Sequence, residues 1–359
     1  MATYPAPPAS KREVNRAGKL IADGFGNDRE LDIVDQWRAA HGYVINTFQI
    51  FFKRRIEKLN IPVEFAQRLK RRSTVIDKIG RRHPDGRPLM SDVTSMQDFA
   101  GCRLIFDTVD DLRNFRSYVH SAASVEHVIH KLRHELSKYD YIEHPKSSGY
   151  RGVHDVYAHY PRAHRRGSKE SLPWHGLLVE VQYRTRVQHA WATALEISDI
   201  IDGQKTKFDL DDTDRVRFFA LASEILAREH EGIAHSLSEK NIQELCLEFL
   251  ALEQKLGILQ RLHALKASGG FDKIKRHNVL NVIRDTDGSL ILEILTFSSP
   301  SDAIEKASLL ESDPNSLNAV YVRADKPSQV RSAYRNYFND PVDFVRLVRE
   351  ALDRHSISI

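Results

Sequence analysis

Residues 141–154 read YIEHPKSSGYRGVH and hold the densest set of side chains able to do chemistry. A turn rich in Pro, Ser and Gly leads straight into the strand-like run 153–160. Glycine has no Cβ, so such a turn lets backbone approach a ligand closely. Lys146 and Arg151 offer charge for phosphate, Tyr150 a flat stacking surface and His154 a polar hook. Charge and a π face beside a permissive loop suit a nucleotide.

Three further runs carry polar chemistry. In VEVQYRT, residues 179–185, strand alternation puts Glu180, Gln182 and Arg184 on one face and Val179, Val181 and Tyr183 on the other. That polar face is either solvated or the floor of a metal or phosphate site. Asp98 precedes a buried-type strand, GCRLIF, and is either a turn residue or, if Glu180 lies close, half of a Mg²⁺ site. Arg103 on that strand could face the same place. Arg68, Lys70, Arg71, Arg72 and Lys78 crowd five cations into eleven residues. They form either a solvated face or the charge that a triphosphate requires in its transition state. His189 and Trp191, in the helix-opening run QHAWA, read first as packing residues.

The elements that must position these groups follow from periodicity. Residues 31–59 read as one or two helices and 63–79 as a basic helical segment. Short strands are expected at 101–106, 153–160 and 177–184, with helices at 109–120, 124–136 and 187–201. Strands alternating with helices give an α/β or α+β core. A basic loop, 162–171, joins two of the strands. A boundary is expected between 202 and 214, then two helices over 215–267, the second long and amphipathic. Beyond Gly270, strands at 277–284 and 289–297 flank the turn DTDG. A helix (301–310), a strand (319–323) and two helices (327–338 and 341–355) complete a small C-terminal domain.

Composition sets the outer limits. The 359 residues allow two cores, and 41% hydrophobic with 28% charged residues is ordinary for a globular protein. No apolar run approaches the ~20 residues of a membrane helix, and the first ten residues lack a signal-peptide core. The chain therefore reads as cytoplasmic. Cys102 and Cys246 lie in apolar runs and read as buried free thiols. The net charge of +4 is modest, but residues 53–87 hold twelve Lys or Arg against four Asp or Glu, which suits an anionic substrate.

Taken in order, these runs resemble the synthetase domain of the RelA/SpoT family, whose members make the alarmones ppGpp and pppGpp. The family pattern R-x-K…S-I-x-x-K meets Arg68, Lys70 and Lys78, and D-x-x-G/A-x-R meets Asp98, Gly101 and Arg103. P-K-x-N-G-Y-x-S-x-H meets Pro145, Lys146, Gly149, Tyr150 and His154. V-E-V-Q-x-R-T meets Glu180, Gln182, Arg184 and Thr185, and Q-H-A-W-A meets residues 188–192. The resemblance spans about residues 30 to 200. Ser148 and Gly152 depart from it, standing where many members carry Asn and Ser. The sole His-Asp pair, His154-Asp155, falls inside the acceptor loop, so no hydrolase site and no hydrolase domain are expected.

The resemblance implies a mixed-sheet, nucleotidyltransferase-like α/β (α+β) core at 30–205. A disordered or extended tail at 1–29, a helical linker region at 206–268 and a C-terminal α/β regulatory or assembly domain at 269–359 are expected around it. It implies pyrophosphoryl transfer from ATP to the 3′-hydroxyl of GDP or GTP, with Mg²⁺ on Asp98 and Glu180 and Glu180 as a candidate base. Arg68, Lys70 and Lys78 would bind ATP phosphates, and Arg103 would stack on adenine or grip phosphate. Tyr150 would stack on the acceptor base, Lys146, Arg151 and His154 would meet its ribose or phosphate, and Gln182 and Arg184 would order that face. Similar short members include alarmone synthetases and also toxins that pyrophosphorylate the tRNA 3′ end. Some of those toxins carry a fused antitoxin-like C-terminal segment, and the runs 191–196 and 217–222 resemble that type. A catalytically inactive nucleotide-binding regulator is the third alternative, and homo-oligomerisation or a regulatory partner through the C-terminal domain is expected.

Overall fold

A computed structural model describes residues 5–70, 72–90, 92–121, 130–160, 173–202, 213–234, 237–263, 277–284, 290–323 and 327–357. Five strands form the central sheet: β1 (Val63–Leu69), β2 (Ala100–Phe106), β3 (Lys131–Leu132), β4 (Val153–Ala158) and β5 (Leu178–Thr185). Their order is β1-β2-β5-β4-β3, with β2 and β5 parallel and the other pairs antiparallel. The mixed α/β architecture expected from the sequence is the one found.

One face of this sheet is a conventional core. Cys102, Leu104 and Phe106 of β2 and Val179, Val181 and Tyr183 of β5 project onto it. Helix α2 (Asp28–Leu59) covers them with Trp37, Val44, Phe48 and Phe52, and α4 (Val109–His120) adds Leu112 and Phe115. The opposite face is polar. Helices α5 (Arg186–Asp202), α6 (Thr213–Leu226), α7 (Ile242–Leu256) and α8 (Ile258–His263) gather beside it around a second core. That core includes Tyr150, Trp191, Phe218, Phe219 and Phe249.

The C-terminal part holds a three-stranded antiparallel sheet of order β7-β6-β8, from β6 (His277–Arg284), β7 (Leu290–Phe297) and β8 (Ser316–Arg323). Helix α9 (Pro300–Glu311) packs on it. The last helix, α10 (Pro327–Arg354), returns to the first domain. It packs on α5 and touches β1, and its Phe344, Val345, Val348 and Leu352 join the core that contains Tyr150 and Trp191.

Several elements differ from the sequence reading. Residues 63–79 are not one helix but β1 followed by α3 (Arg72–Gly80). Residues 11–22, expected within a disordered or extended tail, form α1 (Lys11–Ala22), opened by a reciprocal Ser10–Glu13 capping box and buried through Val14 and Ala17. The long helix expected up to 267 breaks at Gly257, whose φ of +61° ends α7. The two terminal helices are one, with Pro341 inside it. The basic loop 162–171, Arg71, the DTDG turn and residues 122–129 lie outside the described residues. Cys102 and Cys246 are buried free thiols, with burial pushing Cys102 far up and Cys246 to about 11. Among the described residues no helix is long and apolar enough to cross a membrane.

Candidate active site

Register assembles the polar face. Arg68, Gly101, Glu180 and Val156 lie in one row across β1, β2, β5 and β4. Ala66, Arg103, Gln182 and His154 form the next row. Alternation therefore places Arg68, Arg103, Glu180, Gln182, Arg184 and His154 on the same face.

Asp98 stands two residues before β2 and receives two cations. Lys70 Nζ, just past β1, lies 2.8 Å from one oxygen, and Lys78 Nζ of α3 lies 3.0 Å from the other. Burial pushes the Asp98 carboxyl up, but the two lysines outweigh it and hold its pKa below the ordinary value. Burial lowers the Lys70 pKa, which Asp98 only partly restores. Asp98 and Glu180 line one cavity of about 320 Å³ together with Lys78, Met90 and Gln97. The negative charge of Glu180 works against ionisation of Asp98. Two carboxylates facing one polar cavity, with cations at its rim, fit a hard cation that takes one or two carboxylates plus phosphate oxygens.

A hydrogen-bonded chain runs from Glu180 to the glycine-rich loop before β4. Gln182 Nε2 donates to Glu180 Oε2 at 2.7 Å, and His154 Nδ1 lies 3.0 Å from Glu180 Oε1. His154 Nε2 lies 2.6 Å from the Tyr150 hydroxyl, which also accepts from Arg184 Nη2 at 3.0 Å and Nε at 3.3 Å. Burial alone would raise the Tyr150 pKa, yet Arg184 and His154 bring it down to about 7. Burial alone would lower that of His154, yet Tyr150 and Glu180 carry it up to about 9. Glu180 is held well below the carboxylate range, because His154, Gln182 and Lys78 outweigh its burial.

Arg103 is cationic charge without a full complement. Its Nε is buried and has no hydrogen-bond partner among the described residues. Burial, then Arg184 and Arg68, lower its pKa to about 10. Undercompensated guanidinium beside two other arginines marks a place for an anion.

Two expected roles do not match the geometry. Tyr150 is not an open stacking surface: it is 8% exposed, its ring meets Tyr141 and Trp191 edge-on, and it presents its hydroxyl to the site. Arg151 does not join the polar face of the sheet. It is 2% exposed and turns away to pair with Glu231 and to donate from Nε to Ser223 Oγ at 3.0 Å. Lys146 remains exposed, with its Nζ 4.5 Å above the ring of the half-buried Tyr141. Tyr141 opens the run 141–154, but no spacing signal within the run marks its ring as a neighbour of Lys146. Thr185 and Gln188 form a reciprocal cap opening α5, at 3.2 and 3.1 Å. Asp155 lies on the opposite face from His154, fully buried against Arg116 and His120, so the two do not form a metal-binding pair.

The family model described as "Region found in RelA / SpoT proteins" matches residues 67–198. This stretch is similar to that region. It contains every candidate residue named above except Glu231 and Ser223. A curated relative, GTP pyrophosphokinase YjbM of Bacillus subtilis (strain 168), is 32% identical over 133 residues, covering 37% of this chain. The chain spans about half, 54%, of that relative's length. Among solved structures, small alarmone synthetase 1 from Bacillus subtilis bound to its product pppGpp is 23% identical. It covers 53% of this chain and 89% of its own, with a TM-score of 0.39. A GTP pyrophosphokinase family protein from Streptococcus pneumoniae is 22% identical over 62% of this chain and 98% of its own, also at a TM-score of 0.39. Both overlaps are partial and add nothing to the geometry above.

Proposed function

We propose that this RelA/SpoT-like region transfers the β,γ-pyrophosphate of ATP to the 3′-hydroxyl of GDP or GTP. The observation that carries this reading is the cavity shared by Asp98, Glu180 and Lys78, with Lys70 paired to Asp98. The ribose 3′-oxygen attacks the β-phosphorus of ATP. The bond from that phosphorus to the bridging oxygen breaks, and AMP leaves with that oxygen. The hydroxyl proton passes to Glu180, directly or through water, its carboxylate oriented by Gln182 and His154.

Little covalent work falls to the protein in such a transfer, which depends on alignment and charge. Lys70 and Lys78 exchange Asp98 for ATP phosphate oxygens when the donor enters. Arg68 and Arg103 add charge on the donor side. Asp98 and Glu180 would hold Mg²⁺, which would supply positive charge to offset that of the phosphates. Lys146 and Tyr141 border the acceptor side, and Tyr150 and Arg184 set the position of His154. The C-terminal region acts on this centre as a control element, a reading supported by the contacts of α10 and β8 with β1.

The test is incubation of purified protein with γ-³²P-ATP and GDP, GTP or bulk tRNA. Label on the guanosine nucleotides is the expected result. Label on tRNA alone would make the chain an RNA 3′-end modifier of the toxin type. Label on neither would leave an inactive nucleotide-binding regulator.

A further inference from the structure

Between α6 and α7 the chain makes a short π-helical turn, Ala227–Glu231, closed by Gly232 at φ +68°. Such wide turns are rare and cluster at functional sites. The two acidic residues of this one face opposite ways. Glu231 turns inward, its side chain 4% exposed, to take Arg151 Nη1, Thr185 Oγ1 and, at 3.1 Å, Gln188 Nε2. Glu229 turns to the end of α10, where Arg354 Nη1 donates to its carbonyl at 2.8 Å and His355 Nε2 lies 2.9 Å from its carboxylate. His230 Nε2 lies 3.0 Å from the Leu347 carbonyl of the same helix.

The inward contacts fall on both sides of Tyr150. Ser223 Oγ donates to the Gly149 carbonyl at 2.6 Å and accepts from Arg151 Nε. Gly149, at φ +87°, lies so close to α6 that a Cβ there would sit 2.8 Å from Ala220 Cα. Glu231 also grips Thr185 and Gln188, immediately beyond Arg184, the residue that holds the Tyr150 hydroxyl. One carboxylate thus ties the acceptor loop to the end of β5, the two segments that supply His154, Tyr150, Glu180 and Arg184.

We propose that Glu231 is a positioning residue for the acceptor loop, set in place by the C-terminal end of α10 through the π turn. It touches no group placed at the reacting atoms and acts through Arg151, Thr185 and Gln188. Buried charge without its partner is strongly unfavourable, so Arg151 does not hold its place without Glu231. The acceptor side of the pocket is therefore fixed only while residues 227–231 and α10 are docked. This rests on the reading of residues 145–154 as the acceptor loop.

The experiment compares wild-type full-length chain with Glu231→Gln, Glu231→Asp, Arg354→Ala and His355→Ala. Steady-state transfer and amide hydrogen exchange across 145–152 are both measured. Glu231→Gln should raise the acceptor KM by about tenfold or more with the ATP KM within about twofold, and should speed exchange at 145–152. Glu231→Asp should recover part of the loss, and Arg354→Ala should shift both readouts the same way by a smaller factor. Equal changes in both KM values, or unchanged exchange at 145–152, would overturn the proposal. If wild-type protein transfers to no acceptor, the functional reading fails while the exchange data still decide the positioning role. If Glu231→Gln does not fold, the two α10 variants decide it by the same exchange criterion.

Discussion

His154 and Asp155 are neighbours in β4, yet they serve two kinds of charged cluster on opposite faces of one sheet. Behind the sheet, Asp155 is fully buried and takes Arg116 at 2.7 and 3.2 Å and His120 at 2.8 Å. Asp140 takes Arg113, and Arg116 also donates to the Leu136 carbonyl at 2.7 Å. In front, Asp98 and Glu180 border a cavity, and Arg103 Nε has no hydrogen-bond partner among the described residues. Both clusters contain charge at low exposure. The rear one is closed on itself and braces the fold, whereas the front one borders an open polar cavity.

The sharpest way to break this contrast is Glu180→Gln. It keeps size and removes charge, so transfer should fall by about 10³-fold or more while the melting temperature stays within a few degrees. Activity within a few-fold of wild type would remove Glu180 from the chemistry. The mirror experiment is Asp155→Asn, which should cost about 3–5 kcal/mol of stability by stranding Arg116. Burial raises the Asp155 pKa, but His120 and Arg116 outweigh it and hold it low. Its stabilisation is therefore full above the unfolded Asp value of about 4 and is lost as pH falls through the folded pKa. Urea midpoints measured downward from pH 6 should decline less steeply in the variant.

Smaller effects separate ring from hydroxyl at Tyr150. Tyr150→Ala removes both the packing and the hydroxyl that holds His154 and Arg184 and should cost about tenfold to a hundredfold in acceptor use, whereas Tyr150→Phe should retain the packing and lose only the His154 and Arg184 contacts. Equal losses in both would assign the whole effect to the hydroxyl. The mildest expected change is Lys78→Ala, with the ATP KM up by about tenfold and the acceptor KM unmoved. A shift in the acceptor KM instead would place Lys78 on the wrong side of the pocket.

Alternation made the site strand legible in advance. Glu180, Gln182 and Arg184 share a face because both faces of β5 obey a strict period of two. β1 escaped because all seven of its residues are half-buried, leaving no alternation to detect, and Arg68 with the cations just beyond the strand resembled a helical face. Helix α1 was announced by Ser10 and Glu13 at capping-box spacing, a signal obscured by the Pro- and Ala-rich residues before it. The orientations of Tyr150 and Arg151 were not readable locally. Trp191 lies 41 positions beyond Tyr150, and Glu231 lies 80 beyond Arg151. Nothing in the loop itself says which of its two cations will be buried. The expected partition at 205 and 268 likewise rests on breaks in periodicity, while the core around Trp191 draws residues from α5, α6, α7, α8 and α10.

The 80-residue separation of Arg151 from Glu231 also orders events in time. A chain emerges from the ribosome N-terminus first, at roughly 5–20 residues per second. Asp98 and the strand bearing Glu180 are then outside for several seconds before Glu231 can reach Arg151, and longer before α10 arrives to meet Glu229. A nascent chain thus carries Asp98 and Glu180 well before Glu231 can meet Arg151, and the contact of Arg354 with Glu229 is among the last to become available.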